Sequence, residues 1–323
     1  MESYPLYKNY YTFKISKINN LISKFDNIIH EQKPNYIKNF IQKINLNNKH
    51  QFLLIEEKWE TNEELNLLTD YFTEDVRIKC NFKNNLSPLD YFNANYNKIN
   101  NIFHLDNVDK NNKIIDFDII KFKDYMFYNS KFCNNFRISV ALSILNIFKP
   151  KSWLDISAGW GDRLISAILF GIDEYFGVDP NIELQDKYKN IINTLVDKNK
   201  QNNFKIIKSG FENAIIPNRK YDIVFSSPPF FDTEIYTNDI DDSLIKNNTI
   251  EKWYNDFLLF SVYKAIEYLN IDGHLVLYID FTDKEYINRM IYDISKKINY
   301  LGNIYYFNSG KNPKLRTFYV WKK

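Results

Sequence analysis

The sequence predicts an α/β fold with a mostly parallel sheet, preceded by a mainly helical N-terminal region. Three observations carry that prediction. All eight glycines fall between Gly159 and Gly310, so loops that need positive φ or a close approach to a ligand belong to the second half of the chain. From about residue 135, short apolar runs alternate with longer amphipathic ones, the pattern of a sheet built from strand–helix units. The run LDISAGWGDRL (154–164) places an acid and two glycines where a strand hands over to a helix, the ligand-binding edge of such sheets.

Taken in order, apolar residues at three- and four-residue spacing predict helices over 15–30, over 34–46 after Pro34, and over 62–79. The polar stretch 104–117 is the joint, dividing the chain into residues 1–104 and a catalytic unit of 105–323. A helix over 135–148 ends at Lys149-Pro150. Strands at 152–157, 174–179, 203–209, 221–227 and 274–281 then alternate with helices at 161–171, 183–199 and 249–269, and a last helix follows at 284–298. Residues 302–321 read as two strands around a turn, adding an antiparallel edge.

Composition bounds the function. A chain of 323 residues, 45% hydrophobic and 17% aromatic, can bury a large core, which excludes disorder as its main state. No run of about 18 apolar residues occurs, so no membrane span is expected, and the N-terminal sequence lacks an apolar signal core. The two distant cysteines, Cys80 and Cys133, form neither a zinc cluster nor a disulfide framework, so no metal is expected and the setting is intracellular and cytoplasmic. Abundant Asn, Ile and Lys reflect an AT-rich genome, and a viral one would place the protein in a host cytoplasm. Residues 1–50 hold eight Lys against three acids, a charge that suits a polyanion such as nucleic acid but equally a solvated face.

Three motifs carry chemistry. In the first, Gly159 and Gly161 let the backbone pass close to a cofactor, while Asp155 before the turn can accept from a cationic amine. In the second, FGVDPN (176–181), Asp179 ends the next strand, placed either to hold two ribose hydroxyls or to cap the following helix. A dinucleotide fingerprint would need a third glycine where Leu164 stands. In the third, YDIVFSSPPFFDTEIY (221–236), Pro228 and Pro229 fix φ and remove N–H donors, leaving rigid carbonyl acceptors beside the Ser227 hydroxyl and the Phe230 and Phe231 rings. That corner suits a planar nitrogen nucleophile, its N–H bonds aimed at Ser227 and Pro228 and its ring stacked on an aromatic face.

Together these motifs resemble the class I S-adenosylmethionine-dependent methyltransferases, and within them the amino-methylating branch with its [D/N/S]-P-P-[Y/F/W] corner, here SPPF. The resemblance covers roughly 135–323 and implies a Rossmann-like methyltransferase sheet with S-adenosyl-L-methionine as cofactor. It implies that Asp155, Ser157, Ala158, Gly159 and Gly161 surround the cofactor's amino-acid part. Asp179 and Pro180 would meet its ribose, and Phe211 and Glu212 would border its adenine. Ser227, Pro228, Pro229 and Phe230 become the catalytic corner, with Phe231 and Asp232 beside the acceptor, an exocyclic amine of a base in RNA or DNA, adenine N6 favoured. Two positions depart from the pattern: Ser227 stands where DNA adenine enzymes carry Asp or Asn, and Phe211 where many members have an acid. The first departure weakens the DNA reading. The alternatives are a methyltransferase of protein glutamine or a small molecule, or a catalytically silent fold that binds RNA or a partner. In the N-terminal region, Tyr71 and Arg77 lie among aromatics, as a base-stacking, phosphate-contacting surface would be built, or as a helix packed with Arg77 in an ion pair. Tyr125, Tyr128 and Phe132 either close over the cofactor or belong to the core.

Overall fold

A computed structural model describes residues 38–40, 51–57, 59–82, 85–110, 115–231, 234–235, 247, 249–279, 284–308 and 315–323. Eleven strands appear in chain order: β1 (Lys38–Phe40), β2 (Gln51–Glu57), β3 (Asn81–Phe82), β4 (Ser152–Asp155), β5 (Glu174–Val178) and β6 (Phe204–Ile207). They continue as β7 (Tyr221–Ser226), β8 (Glu234–Ile235), β9 (Leu269–Tyr278), β10 (Asn299–Asn308) and β11 (Leu315–Lys322). Nine of them form one sheet in the order β1-β2-β10-β11-β9-β7-β4-β5-β6. Strands β6, β5, β4, β7 and β9 pair in parallel, while β11 runs antiparallel to both β9 and β10. The sheet is therefore mostly parallel and Rossmann-like, with the expected antiparallel C-terminal hairpin.

The chain runs from β4 outward to β6, then crosses back to β7 on the other side of β4. The order therefore reverses between β4 and β7, and the crevice at their carboxyl ends is where such sheets bind ligands. The strands' alternate faces feed two cores: Trp153, Phe225 and Val276 on one side, Leu154, Val224 and Leu277 on the other.

The N-terminal region departs from expectation in part. The helix expected over 34–46 gives way at Lys38–Phe40 to β1, which pairs antiparallel with β2. β2 in turn lies parallel to β10, extending the sheet. The helix expected over 62–79 is present as Trp59–Arg77, and its Leu68, Phe72 and Val76 join the core cluster of Trp153 and Phe225. The helix expected over 15–30 falls outside the described residues.

In the second half, a π-helical turn at Trp253–Leu259 interrupts the long helix between Ile250–Lys252 and Phe260–Glu267. The helix before β4 begins at Ile138 rather than 135, leaving the three residues before it extended or irregular. Among the described residues no helix is long and apolar enough to cross a membrane, and no group of three His, Cys, Asp or Glu side chains could hold a metal.

Candidate functional site

The loop after β4 is built on Asp155, which is completely buried. Its Oδ1 accepts from the Ser226 hydroxyl at 2.7 Å and the Ser157 N–H at 3.2 Å. Its Oδ2 accepts from Arg163 Nε and the Tyr175 hydroxyl, both at 2.8 Å. A carboxylate offers about four acceptor positions, and here all are taken from within the protein. This corrects the expectation that Asp155 meets a ligand amine: it ties β4, β5, β7 and the next helix together beneath the loop. Arg163 also donates from Nη2 to the Ser157 carbonyl, and its guanidinium lies 5.2 Å from the Phe136 ring centroid.

Gly159 and Gly161 both have positive φ, +61° and +92°. A Cβ on Gly159 would make only ordinary van der Waals contacts, with Arg163 Nη2 at 3.6 Å and the Ser157 carbonyl at 4.0 Å, so it is the positive φ that favours glycine there. On Gly161 it would stand 2.8 Å from Ile191 Cδ1, at the N-terminus of the helix Asp162–Phe170. Gly161→Ala should therefore cost about 1–3 kcal/mol of stability from the left-handed backbone alone. A urea unfolding midpoint equal to wild type, with unchanged slope, would contradict that placement.

Asp179, just beyond β5, is the hinge of the loop's far side. Its Oδ2 accepts the Gly159 N–H at 2.9 Å and its Oδ1 the Asn181 N–H at 3.0 Å. Burial raises its carboxyl to about 6, against the pull of those two N–H groups. Each oxygen keeps one acceptor position, the geometry needed for two vicinal hydroxyls.

One cavity of about 320 Å³ opens at the carboxyl ends of the strands. Ser157, Gly159, Asp179, Pro180, Phe211 and Glu212 line one part of it. Ser227, Pro228, Pro229 and Phe230 line another, so ten residues singled out from sequence meet in one space. Phe230 stands edge-on to Tyr278, ring centroids 5.6 Å apart.

The remaining sequence candidates lie elsewhere. Ala158, Gly161 and Asp155 sit beneath the loop and do not line the cavity. Phe231 turns toward Trp253, at 6.4 Å between ring centroids, and Asp232 falls outside the described residues. Tyr71 packs edge-on to Phe72 at 4.9 Å. Arg77 is buried, paired with Asp70 at 2.5 Å and bonded to the Cys133 carbonyl at 3.1 Å, so it takes the ion-pair alternative and does not present a phosphate-contacting surface. Tyr125, Tyr128 and Phe132 do not line the cavity either; Tyr128 is 70% exposed.

Residues that sequence reasoning passed over complete the wall. Asn134, Asn135, Phe136 and Arg137 line it, as do Tyr278, Tyr306, Arg316 and Phe318 from the hairpin side. Asp162 also lines it, only 2% exposed, its Oδ2 accepting the Phe136 N–H at 3.2 Å. Its Oδ1 and Asn135 Oδ1 are buried with no hydrogen-bond partner among the described residues. Burial raises the Asp162 carboxyl to about 7; the Thr69 hydroxyl, Arg163 and Arg77 pull it down, and Asp70 pushes it up. The Asp162 and Asn135 side chains both line the cavity, and an acid on that wall can take a cationic amine.

No protein-family model matches the sequence, and no curated protein does. Among solved structures the chain is similar to TrmN from Thermus thermophilus, at 11% identity over 58% of this chain and 49% of that one, with a TM-score of 0.42. It is similar also to a methyltransferase from Pyrococcus furiosus, at 18% identity over 58% of this chain and 83% of that one, TM-score 0.42. An rRNA methylase from Streptococcus thermophilus is similar at 13% identity, over 53% of this chain and 86% of that one, TM-score 0.36. The chain thus spans about half the length of TrmN. At that identity and overlap, no residue's role passes from those proteins to this chain.

Proposed function

We propose that this chain is an S-adenosylmethionine-dependent methyltransferase acting on the exocyclic amino group of a base in RNA or DNA, adenine N6 first among them. The observation that carries the proposal is the cavity joining the Asp179 carboxylate and the Gly159 backbone to the Ser227-Pro228-Pro229-Phe230 corner. The residues fit the cofactor. Asp179 has acceptor positions left for a ribose, Phe211 and Glu212 would form a wall for adenine, and the Asp162 carboxyl and Asn135 amide oxygen on the cavity wall suit an α-ammonium.

Bound there, S-adenosylmethionine would supply an electrophilic methyl group on a sulfonium. At the corner, the Ser227 hydroxyl and the Pro228 carbonyl would each accept one N–H of the acceptor amine, orienting its lone pair toward that methyl group. The same two oxygens stabilise positive charge developing on nitrogen during transfer. A neutral exocyclic amine needs no strong base to attack, consistent with a corner of Ser, Pro and Phe. Phe230 gives the acceptor ring a stacking face. The Lys-rich first fifty residues are the part of the chain we assign to polynucleotide contact.

Incubation with labelled S-adenosylmethionine and separate RNA, DNA and protein pools tests the reading; label confined to protein would overturn the base assignment. Within the corner, Phe230→Ala should cost about 1–3 kcal/mol of base binding. Ser227→Ala should lower turnover while leaving cofactor affinity intact. Turnover within twofold of wild type for both variants would reduce the corner to a structural turn.

A further inference from the structure

Charge is sorted along the cavity. Its three carboxylates, Asp162, Asp179 and Glu212, follow β4, β5 and β6, on one side of the β4/β7 crossover; Arg163 also lines that side, its charge matched by the buried Asp155 carboxylate at 2.8 Å. On the other side, next to β9, β11 and β10, the lining carries two guanidiniums, Arg137 and Arg316. The acidic side suits a cationic cofactor. The basic side is unsuited to a neutral amide and calls for an anion.

We propose that Arg137 and Arg316 form a clamp for the phosphate attached to the acceptor nucleoside, so that the enzyme reads a nucleotide inside the cavity; this rests on the base-methylation reading above. Arg316 faces Tyr306 directly across the β10–β11 pair, and directly opposed residues share one face of a sheet. Arg137, from the segment before the helix Ile138–Phe148, brings its guanidinium to 5.8 Å from the Tyr306 ring centroid. The same aromatic ring therefore neighbours both cations. Arg316 Nη1 donates to the Tyr278 hydroxyl at 3.0 Å, and among the described residues that is its one hydrogen bond. Its Nε is buried and has no hydrogen-bond partner among the described residues. Nε–H belongs to the forked edge with which a guanidinium grips two oxygens of one phosphate, so the unsatisfied donor is the group such a ligand would engage. Tyr278 links this end to the catalytic corner, because its ring meets Phe230 on one side while its hydroxyl holds Arg316 on the other. A base stacked on Phe230 would then have its phosphate within the reach of Arg316.

The test titrates the whole chain, saturated with S-adenosylhomocysteine, with adenosine, cytidine and guanosine and with their 3′- and 5′-monophosphates, by calorimetry. At least one monophosphate should bind at least tenfold tighter than its own nucleoside, an advantage that shrinks as KCl is raised. Arg316→Gln should cut the advantage below threefold, and Arg316→Lys should restore it only in part, since an ammonium lacks the fork. Equal affinities of nucleoside and nucleotide in the wild type, or no nucleotide binding at all, would overturn the clamp. An advantage retained in both Arg316→Gln and Arg137→Gln would overturn it too. The wild-type comparison needs no variant, so an unfolded variant leaves the test standing. If S-adenosylhomocysteine itself gives no heat, the proposed function and the clamp fall together; if it binds and the nucleotide pairs do not differ, the clamp alone falls.

Discussion

Replacing Asp179 by alanine is expected to weaken binding of S-adenosylmethionine at least tenfold. The side chain would supply two charge-assisted hydrogen bonds to the ribose, each worth about 1.5–3 kcal/mol. It also holds the Gly159 and Asn181 N–H groups at 2.9 and 3.0 Å, so its loss should loosen the loop proposed to cradle the rest of the ligand. Affinity should respond to pH through the same group. Its carboxyl is raised to about 6 by burial, so acidification from pH 7 to 5 protonates it and removes acceptor strength. Calorimetry reads both effects. Unchanged affinity in a folded Asp179→Ala variant would remove Asp179 from the ribose site.

Asp162→Asn should make the free protein more stable and the cofactor site worse. Burial, the dominant cause, raises the folded-state carboxyl from 3.8 to about 7. Below about pH 4 both folded and unfolded chains hold the proton, and the group costs nothing. Between pH 4 and 7 the folded chain keeps a proton that the unfolded chain has lost, so stability falls as pH rises. Above pH 7 the full penalty is present, on the order of a few kcal/mol. The asparagine amide can still accept from the Phe136 N–H and carries no charge to bury. The variant should therefore melt higher than wild type at pH 8 and show little gain at pH 4.5. Its affinity for S-adenosylmethionine should fall, because the acceptor left open for an ammonium has lost its charge. A melting temperature at pH 8 equal to or below wild type would mean that Asp162 is not held as a costly buried carboxylate.

Most of the catalytic sheet was legible in the sequence, because strand and helix periods differ and because glycine and proline mark where each element must stop. The loop residues that gather in the cavity were legible for the same reason: Gly159, Asp179 and Pro228 follow strand ends, and topology brings strand ends together. Partnership was not legible. Asp155 has the right place for a ligand contact, yet Ser226, Tyr175 and Arg163 reach it from 71, 20 and 8 residues away and occupy it. Asp162 was overlooked as one polar residue at a helix start, where an acid is common. Asn135 to Arg137 were read as helix because their apolar spacing runs smoothly into Ile138–Phe148. Their removal from that helix makes them a wall of the cavity. Arg316 sits in a strand whose register is set by β10 and β9, and no local pattern could have placed it beside Tyr278.

The parallel pairing of β2 with β10 joins Gln51 to Gly302, across about 250 residues of chain. A contact of such sequence separation cannot form until nearly all of the protein has left the ribosome. At roughly 5–20 residues per second, Gln51–Glu57 would wait on the order of tens of seconds for its partner strand. During that interval the segment QFLLIEE is a short apolar strand without its neighbour, a template for pairing with other nascent chains. Synthesis of this protein should therefore be most prone to aggregation just before its last strands appear, and slower translation should lengthen the exposure.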